Sequence, residues 1–326
     1  MHADGHPAQS GEAPELPATA WETVRGGYDL HVHAAPDLIR RSTDDVELAR
    51  AFRIRGLRGF ALKSHYAPTA DRAAAVRRAV PGVEVIGTIT LNHGVGGLNP
   101  VAVEIAGRSG ARIVWLPTVD ALNEARDHGR EMAKPPLWVQ IQRDMAGRIA
   151  MPVPISVLDG NGRIKRELRE CLEIIAHYDM ILATGHLSRS EIFAVVDDAT
   201  ACGVRHVVVT HPDFPTVALS PADQVRLAET GAILEHCFTT FHTGKAAWET
   251  CFANIRATGV ERCIIATDLG QPSNPPVVEG LALFAHRLLE AGFSEAEVRA
   301  LAVTNPARLA APRRAEADAA AGREQR

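Results

Sequence analysis

Two histidines, His31 and His33, stand two residues apart in the run YDLHVH. In an extended strand side chains alternate faces, so this spacing turns both imidazoles the same way and lets them clasp one ion. HxH alone is a weak motif. Its weight comes from repetition, because His186 ends MILATGH, His211 ends HVVVTH and Asp268 ends CIIATD. Imidazole and carboxylate donors together suit Zn, Fe and Mn. Lys63 and His65 share a face in GFALKSH. His65 is a further candidate ligand, while Lys63 is either a catalytic or substrate-binding group or a salt-bridged lysine of the framework. Glu235 and His236 are neighbours in AILEHC and must face opposite ways; His236 is expected to be the inward one and a metal ligand. His93, in NHGVGG, is either a loop residue or a ligand, and that Gly-rich segment is either a plain turn or an anion cradle.

These residues recur at the ends of apolar runs, and the runs fix where they must sit. Eight runs, at 28–33, 59–65, 83–91, 112–118, 180–186, 206–211, 232–237 and 263–268, alternate with segments of helical period. That alternation predicts a (β/α)8 TIM barrel with an insertion after strand 4, and such barrels carry their sites at the C-terminal mouth. A doubly wound open sheet is the structural alternative, but no GxGxxG follows a first strand. Ser42 or Thr43 before Asp44, and Ser220 before Pro221, read as helix starts; Gly56, Gly203 and Gly292 read as helix ends. Residues 120–163 are far longer than an ordinary loop after a barrel strand. They predict a lid whose apolar Trp138, Met151 and Val153 contact the substrate, with a tight turn at 159–162. Residues 1–24 and 312–326 read as disordered tails around a barrel of 25–311.

Composition bounds the partners. A net charge of -4 offers no basic surface to a phosphate backbone, so nucleic acid is not an expected partner. No apolar run approaches a membrane span, the N-terminus has no signal-peptide pattern, and a cytoplasmic location is expected. The cysteines are odd in number, 5, and form no CxxC pair, which argues against a disulfide framework. A small-molecule substrate is the expected partner.

The set HxH on strand one, His on strands five and six and Asp on strand eight resembles the amidohydrolase superfamily, and TNPARLA (304–310) is similar to the Asn-Pro-Ala helix that closes many of its barrels. The resemblance implies a pair of divalent metals and hydrolysis of an amide, ester or lactone, with Asp268 relaying a proton to the leaving group. The superfamily often bridges its metals with a carboxylated Lys or a Glu on strand four, and RIVWLPT offers neither. That departure, the KSH strand and the TDLGQP ending look like the branch of such barrels that includes nonheme diiron monooxygenases, diterpenoid hydroxylases of the platensimycin and platencin type among them. This second resemblance implies two Fe ions, a reductase partner and a bulky coenzyme A-linked or terpenoid substrate, and it is preferred to the hydrolase. A barrel that binds metal without catalysis is the third reading.

Overall fold

A computed structural model of the chain describes residues 16–127 and 137–311. Every apolar run holds a strand: β1 Tyr28–Val32, β2 Gly59–Leu62, β3 Glu84–Thr90, β4 Ala111–Trp115, β5 Ile181–Ala183, β6 His206–Thr210, β7 Ile233–Cys237 and β8 Cys263–Ala266. Each strand pairs in parallel with the next, in sequence order. The ring closes just beyond β8. There the Asp268 N–H donates to the His31 carbonyl (2.8 Å) and the His33 N–H donates to the Leu269 carbonyl (2.8 Å). Consecutive parallel strands, helical returns and a closed seam make a (β/α)8 barrel and exclude the open sheet.

Alternation sorts the strand residues. Ile113, Trp115, Ile181, Ala183, Val208 and Ile264 fill the interior, while Phe60, Val114, Leu182, Val209, Leu234 and Ile265 face the helices. The interior is thus a packed plug, with the functional side chains on top of it. β1 departs from strict alternation, its register passing from Asp29↔Phe60 to Val32↔Leu62. Three residues of β1 advance against two of β2, a bulge that lets Leu30 join the plug while the adjacent His31 turns to the mouth.

Helix boundaries follow local chemistry. The Asp44 side chain, one residue past the expected Ser42 or Thr43, accepts the Glu47 N–H at the start of Asp45–Ile54. Ser220 caps Pro221–Glu229 as expected. The helix Ala18–Val24 corrects the expected N-terminal tail: its Ala20 and Val24 are buried against the barrel. The insertion opens with Leu122–Asp127, resumes with Leu137–Ala146 and returns along Ala121↔Ile155, with the turn at Asp159 closed by the Leu158↔Ile164 bridge. Pro135 and Pro136, the N-terminal segment 1–15 and the C-terminal segment 312–326 lie outside the described residues. Among the described residues no helix is long and apolar enough to cross a membrane.

The β8–β1 seam sets a specific demand on Gly270. Its φ is 139°, and a Cβ there would lie 2.1 Å from the His33 carbonyl oxygen. Gly231 also has a positive φ, 98°, but nothing lies within 4 Å of its notional Cβ. Gly231→Ala should therefore cost about 1 kcal/mol in urea unfolding and Gly270→Ala about 3 kcal/mol or more. Equal losses in the two variants would show that the close approach at the seam has no energetic consequence.

Candidate metal centre

His31, at the centre of the mouth, is wholly buried. Its Nδ1 lies 3.1 Å from Glu235 Oε2, and its Nε2 faces Lys63 Nζ at 2.9 Å and Asp268 Oδ1 at 3.3 Å. His33 Nδ1 lies 3.0 Å from the Lys63 carbonyl and its Nε2 lies 3.1 Å from the same Asp268 Oδ1. Thr239 Oγ1 donates to Asp268 Oδ2 at 3.0 Å and fixes the carboxylate plane. His65 Nδ1 meets Thr118 Oγ1 at 2.9 Å, and His186 Nδ1 meets Glu124 Oε2 at 3.0 Å. Four of the mouth histidines thus share one device. An anion, carbonyl or hydroxyl occupies Nδ1, so the ring is oriented and Nε2 is left to other work, the arrangement found around metal-ligating imidazoles.

His211 breaks the pattern, because its buried Nδ1 has no hydrogen-bond partner among the described residues. Its ring lies 4.9 Å from that of His186 and 6.0 Å from that of His31. A buried nitrogen without a partner is costly unless something else satisfies it, and a cation does. His211 and Asp268 are also held at φ 27° and 53°, values that non-glycine residues rarely adopt. The ligating atoms of His31, His33 and Asp268 lie within 4.8 Å of one another, which fits one ion.

Charge is tuned in the same sense at His33, His65 and His211; at His31, burial and Lys63 oppose the charged form but Glu235 and Asp268 outweigh them and raise it. Burial, with Arg41 beside it, pushes His33 down to about 3. Burial likewise holds His65 and His211 well below the ordinary imidazole value. All three are therefore neutral at pH 7, the form that binds metal. Burial opposes ionisation of Asp268, but His31 and His33 outweigh it and keep the carboxylate well below its usual range. Lys63 is lowered by burial. Its Nζ stands directly before His31 Nε2 and 5.1 Å from the centre of the Trp115 ring, so an ion placed on that nitrogen requires Lys63 to withdraw or to share the site.

The structure gathers His31, His33, Lys63, His65, His186, His211 and Asp268 at one mouth, and six of the seven line a cavity of about 550 Å³. His236 is not among them, which corrects the expectation for β7. It is Glu235 that faces inward, under His31, while His236 points out toward the helices and meets Asp213 Oδ2 at 2.7 Å. Asp213 also accepts from Gln224 and Asn254, so the pair ties the loop after β6 to the outer face of β7. His93 does not line this cavity, its N–H donates to Asp120 Oδ2 at 2.8 Å, and the amides of Gly96 and Gly97 are already bonded to the carbonyls of His93 and Asn92. Of the expected lid contacts, Trp138 lines the cavity. Met151 borders a separate pocket and Val153 is 83% exposed.

Sequence reasoning missed Glu124, Thr118 and Thr239. Glu124 sits in the insertion, where no periodicity marks it, and accepts from Thr216 Oγ1 at 2.7 Å besides holding His186. The inward β4 position carries Trp115, so β4 supplies no bridging ligand, as the sequence implied.

A model of a family of unknown function, DUF6282, matches residues 26–235. No curated protein matches the sequence. Among solved structures, the chain is similar to an amidohydrolase from Pseudomonas aeruginosa (TM-score 0.59, 12% identity, 89% of this chain and 98% of that one). It is also similar to a probable dipeptidase, PvdM, from Pseudomonas aeruginosa (TM-score 0.56, 12% identity, 89% and 96%). A third similar structure is a putative 2-pyrone-4,6-dicarboxylic acid hydrolase from Pseudomonas putida (TM-score 0.53, 16% identity, 88% and 97%). At these identities the likeness shows a shared barrel fold.

Two outcomes follow from the geometry. Replacing Glu124 or Glu235 by Gln keeps the side-chain shape but removes the charge on Nδ1, so each variant should bind metal about 10- to 100-fold more weakly in chelator competition. Unchanged affinity in both would remove the case that these carboxylates serve a metal site. The His236–Asp213 pair governs alkaline stability instead. Burial works against a charged His236, but Asp213 outweighs it and the imidazole is pushed up to about 10 from 6.5. A raised imidazole contributes stability that is complete below pH 6.5 and lost as the pH rises toward 10. The urea midpoint should fall over that window, and His236→Ala should cost about 3 to 5 kcal/mol at pH 7 by stranding Asp213. A flat wild-type profile would contradict the pairing.

Proposed function

We propose that this chain, which belongs to the DUF6282 family, is a metal-dependent hydrolase that works at the mouth of its barrel. The observation that carries this reading is the shared orientation of the imidazoles, with Nδ1 held by Glu235, the Lys63 carbonyl, Thr118 or Glu124 and Nε2 turned away from that partner. His31, His33 and Asp268 would hold one divalent ion, and His186 and His211 would hold a second, with Zn, Mn and Fe all suited to the donors. Bound there, a divalent ion polarises a carbonyl and acidifies water.

The protein's own groups do the rest. Asp268 is ionised, faces the cavity and is oriented by Thr239, so it accepts a proton from the attacking water and passes it to the leaving group. Lys63, next to Asp268 and His31, offers positive charge to a developing oxyanion. The helix Leu137–Ala146 places Trp138 over the cavity and keeps bulk water from the reacting atoms.

The diiron monooxygenase preferred from sequence rested on the missing strand-four bridge, the KSH strand and the TDLGQP ending, and the carboxylates Glu235 and Glu124 that stand against His31 and His186 fit a hydrolytic centre as well. The similar structures above are hydrolases and a dipeptidase by name, which supports hydrolysis over oxygenation. Hydrolysis should proceed under nitrogen without an electron donor, stop on chelation and return with a divalent ion, and draw the product oxygen from water. Asp268→Asn should lower kcat by about 100-fold or more. Turnover that needs dioxygen and a reductase, with dioxygen-derived oxygen in the product, would reinstate the monooxygenase.

A further inference from the structure

The cavity above the centre has an uneven chemistry that points to its occupant. Among the described residues its one acidic lining residue is Asp268, already engaged by His31, His33 and Thr239. Its cations differ sharply in availability. Arg41 is 2.6 Å from Asp37 within a pair almost wholly shielded from solvent, so its charge is neutralised where it stands. Lys63 is 2% exposed, packed between His31 and Trp115 beside Asp268 and Glu235. Lys245 is different. It lies on the exposed segment after β7, with no carboxylate within ion-pair distance among the described residues, and its Nζ stands 4.6 Å over the centre of the Phe214 ring.

Phe214 acts as the spacer. Its ring lies 4.9 Å from His211 and 5.6 Å from His186, so the ammonium is one aromatic ring removed from the centre. Ile39, Leu137, Trp138 and Phe214 give the cavity its apolar lining, among polar residues that include Gln271, Ser273 and Asn274. A volume of about 550 Å³ falls within the range of organic-ligand sites.

We propose that the cavity takes an organic carboxylate with an apolar, ring-sized body, and that Lys245 is the specificity-determining residue that pairs with its anionic end. The inference rests on the hydrolase reading only in placing the scissile bond at the metal centre; the recognition itself is independent of turnover. One uncompensated ammonium matches one negative charge. A phosphate dianion would call for a second unpaired cation beside Lys245, and the described lining residues place none there, because Arg41 is paired with Asp37 and Lys63 is buried against His31. The apolar walls supply affinity by burial, and the rim ammonium supplies selection between an acid and its neutral counterpart.

The test is calorimetric titration of the purified metal-containing protein with 4-phenylbutyrate and with the uncharged 4-phenylbutyramide. Wild type should bind the acid at least ten-fold more tightly, with the margin shrinking as salt is raised. Lys245→Met, which keeps the stem over Phe214 and removes the charge, should bind both probes alike, at the wild-type amide affinity. Equal binding of the two probes by wild type overturns the proposal. So does a preference that survives in Lys245→Met, which would assign the carboxylate to the metal or to Arg41. Absence of any hydrolytic turnover, with the acid preference intact and lost in Lys245→Met, would leave this recognition standing and reject the hydrolase reading alone.

Discussion

The seam between β8 and β1 is the constraint on which the site depends. Two backbone hydrogen bonds, from the Asp268 N–H to the His31 carbonyl and from the His33 N–H to the Leu269 carbonyl, close the barrel and in the same act bring a carboxylate from the end of the last strand against two imidazoles from the first. These residues are some 235 positions apart in the chain (33 and 268), and nothing but closure of the ring makes them neighbours. Asp29 reinforces the seam from the outer face, accepting the Thr267 N–H at 3.0 Å and the Thr267 hydroxyl at 2.5 Å. A loss of closure would therefore be a loss of site. Fold and function share one set of bonds here, which is why strained backbone at Asp268 and a forced glycine at 270 are tolerated in the same few residues.

Around this seam, carboxylates below and beside the mouth impose direction on the imidazoles. Glu235 fixes His31 from beneath, and Glu124 fixes His186 from the side. Glu124 belongs to the insertion after β4, so that segment does two kinds of work. Its first helix supports a mouth histidine, and its second brings Leu137 and Trp138 over the cavity. A segment that only bordered the cavity would be separable from the mouth histidines; this one is joined to them through a buried hydrogen bond.

The strands were legible because a barrel interior demands apolar runs of strand length, and those runs end in the polar residues that the mouth collects. The HxH spacing, His186, His211 and Asp268 were legible for the same reason: each sits at a position that topology alone sends to the mouth. His236 was misread because a neighbouring pair on one strand gives no sign of which member faces inward, and only the observed register, Glu235 opposite Ile264, resolves it. Glu124 and Lys245 lie on segments without periodicity, where sequence carries no information about direction. The bulge in β1 was hidden likewise, since no residue type marks the extra position between Asp29 and Val32.

The central claim is that the mouth histidines and Asp268 form a metal centre. The most direct measurement is anomalous diffraction at the absorption edge of whichever metal the purified protein carries. The account predicts a strong peak bounded by His31, His33 and Asp268, and metal density against His186 and His211. Fully loaded protein with no peak at the barrel mouth, or with metal confined to surface histidines such as His286, would contradict it.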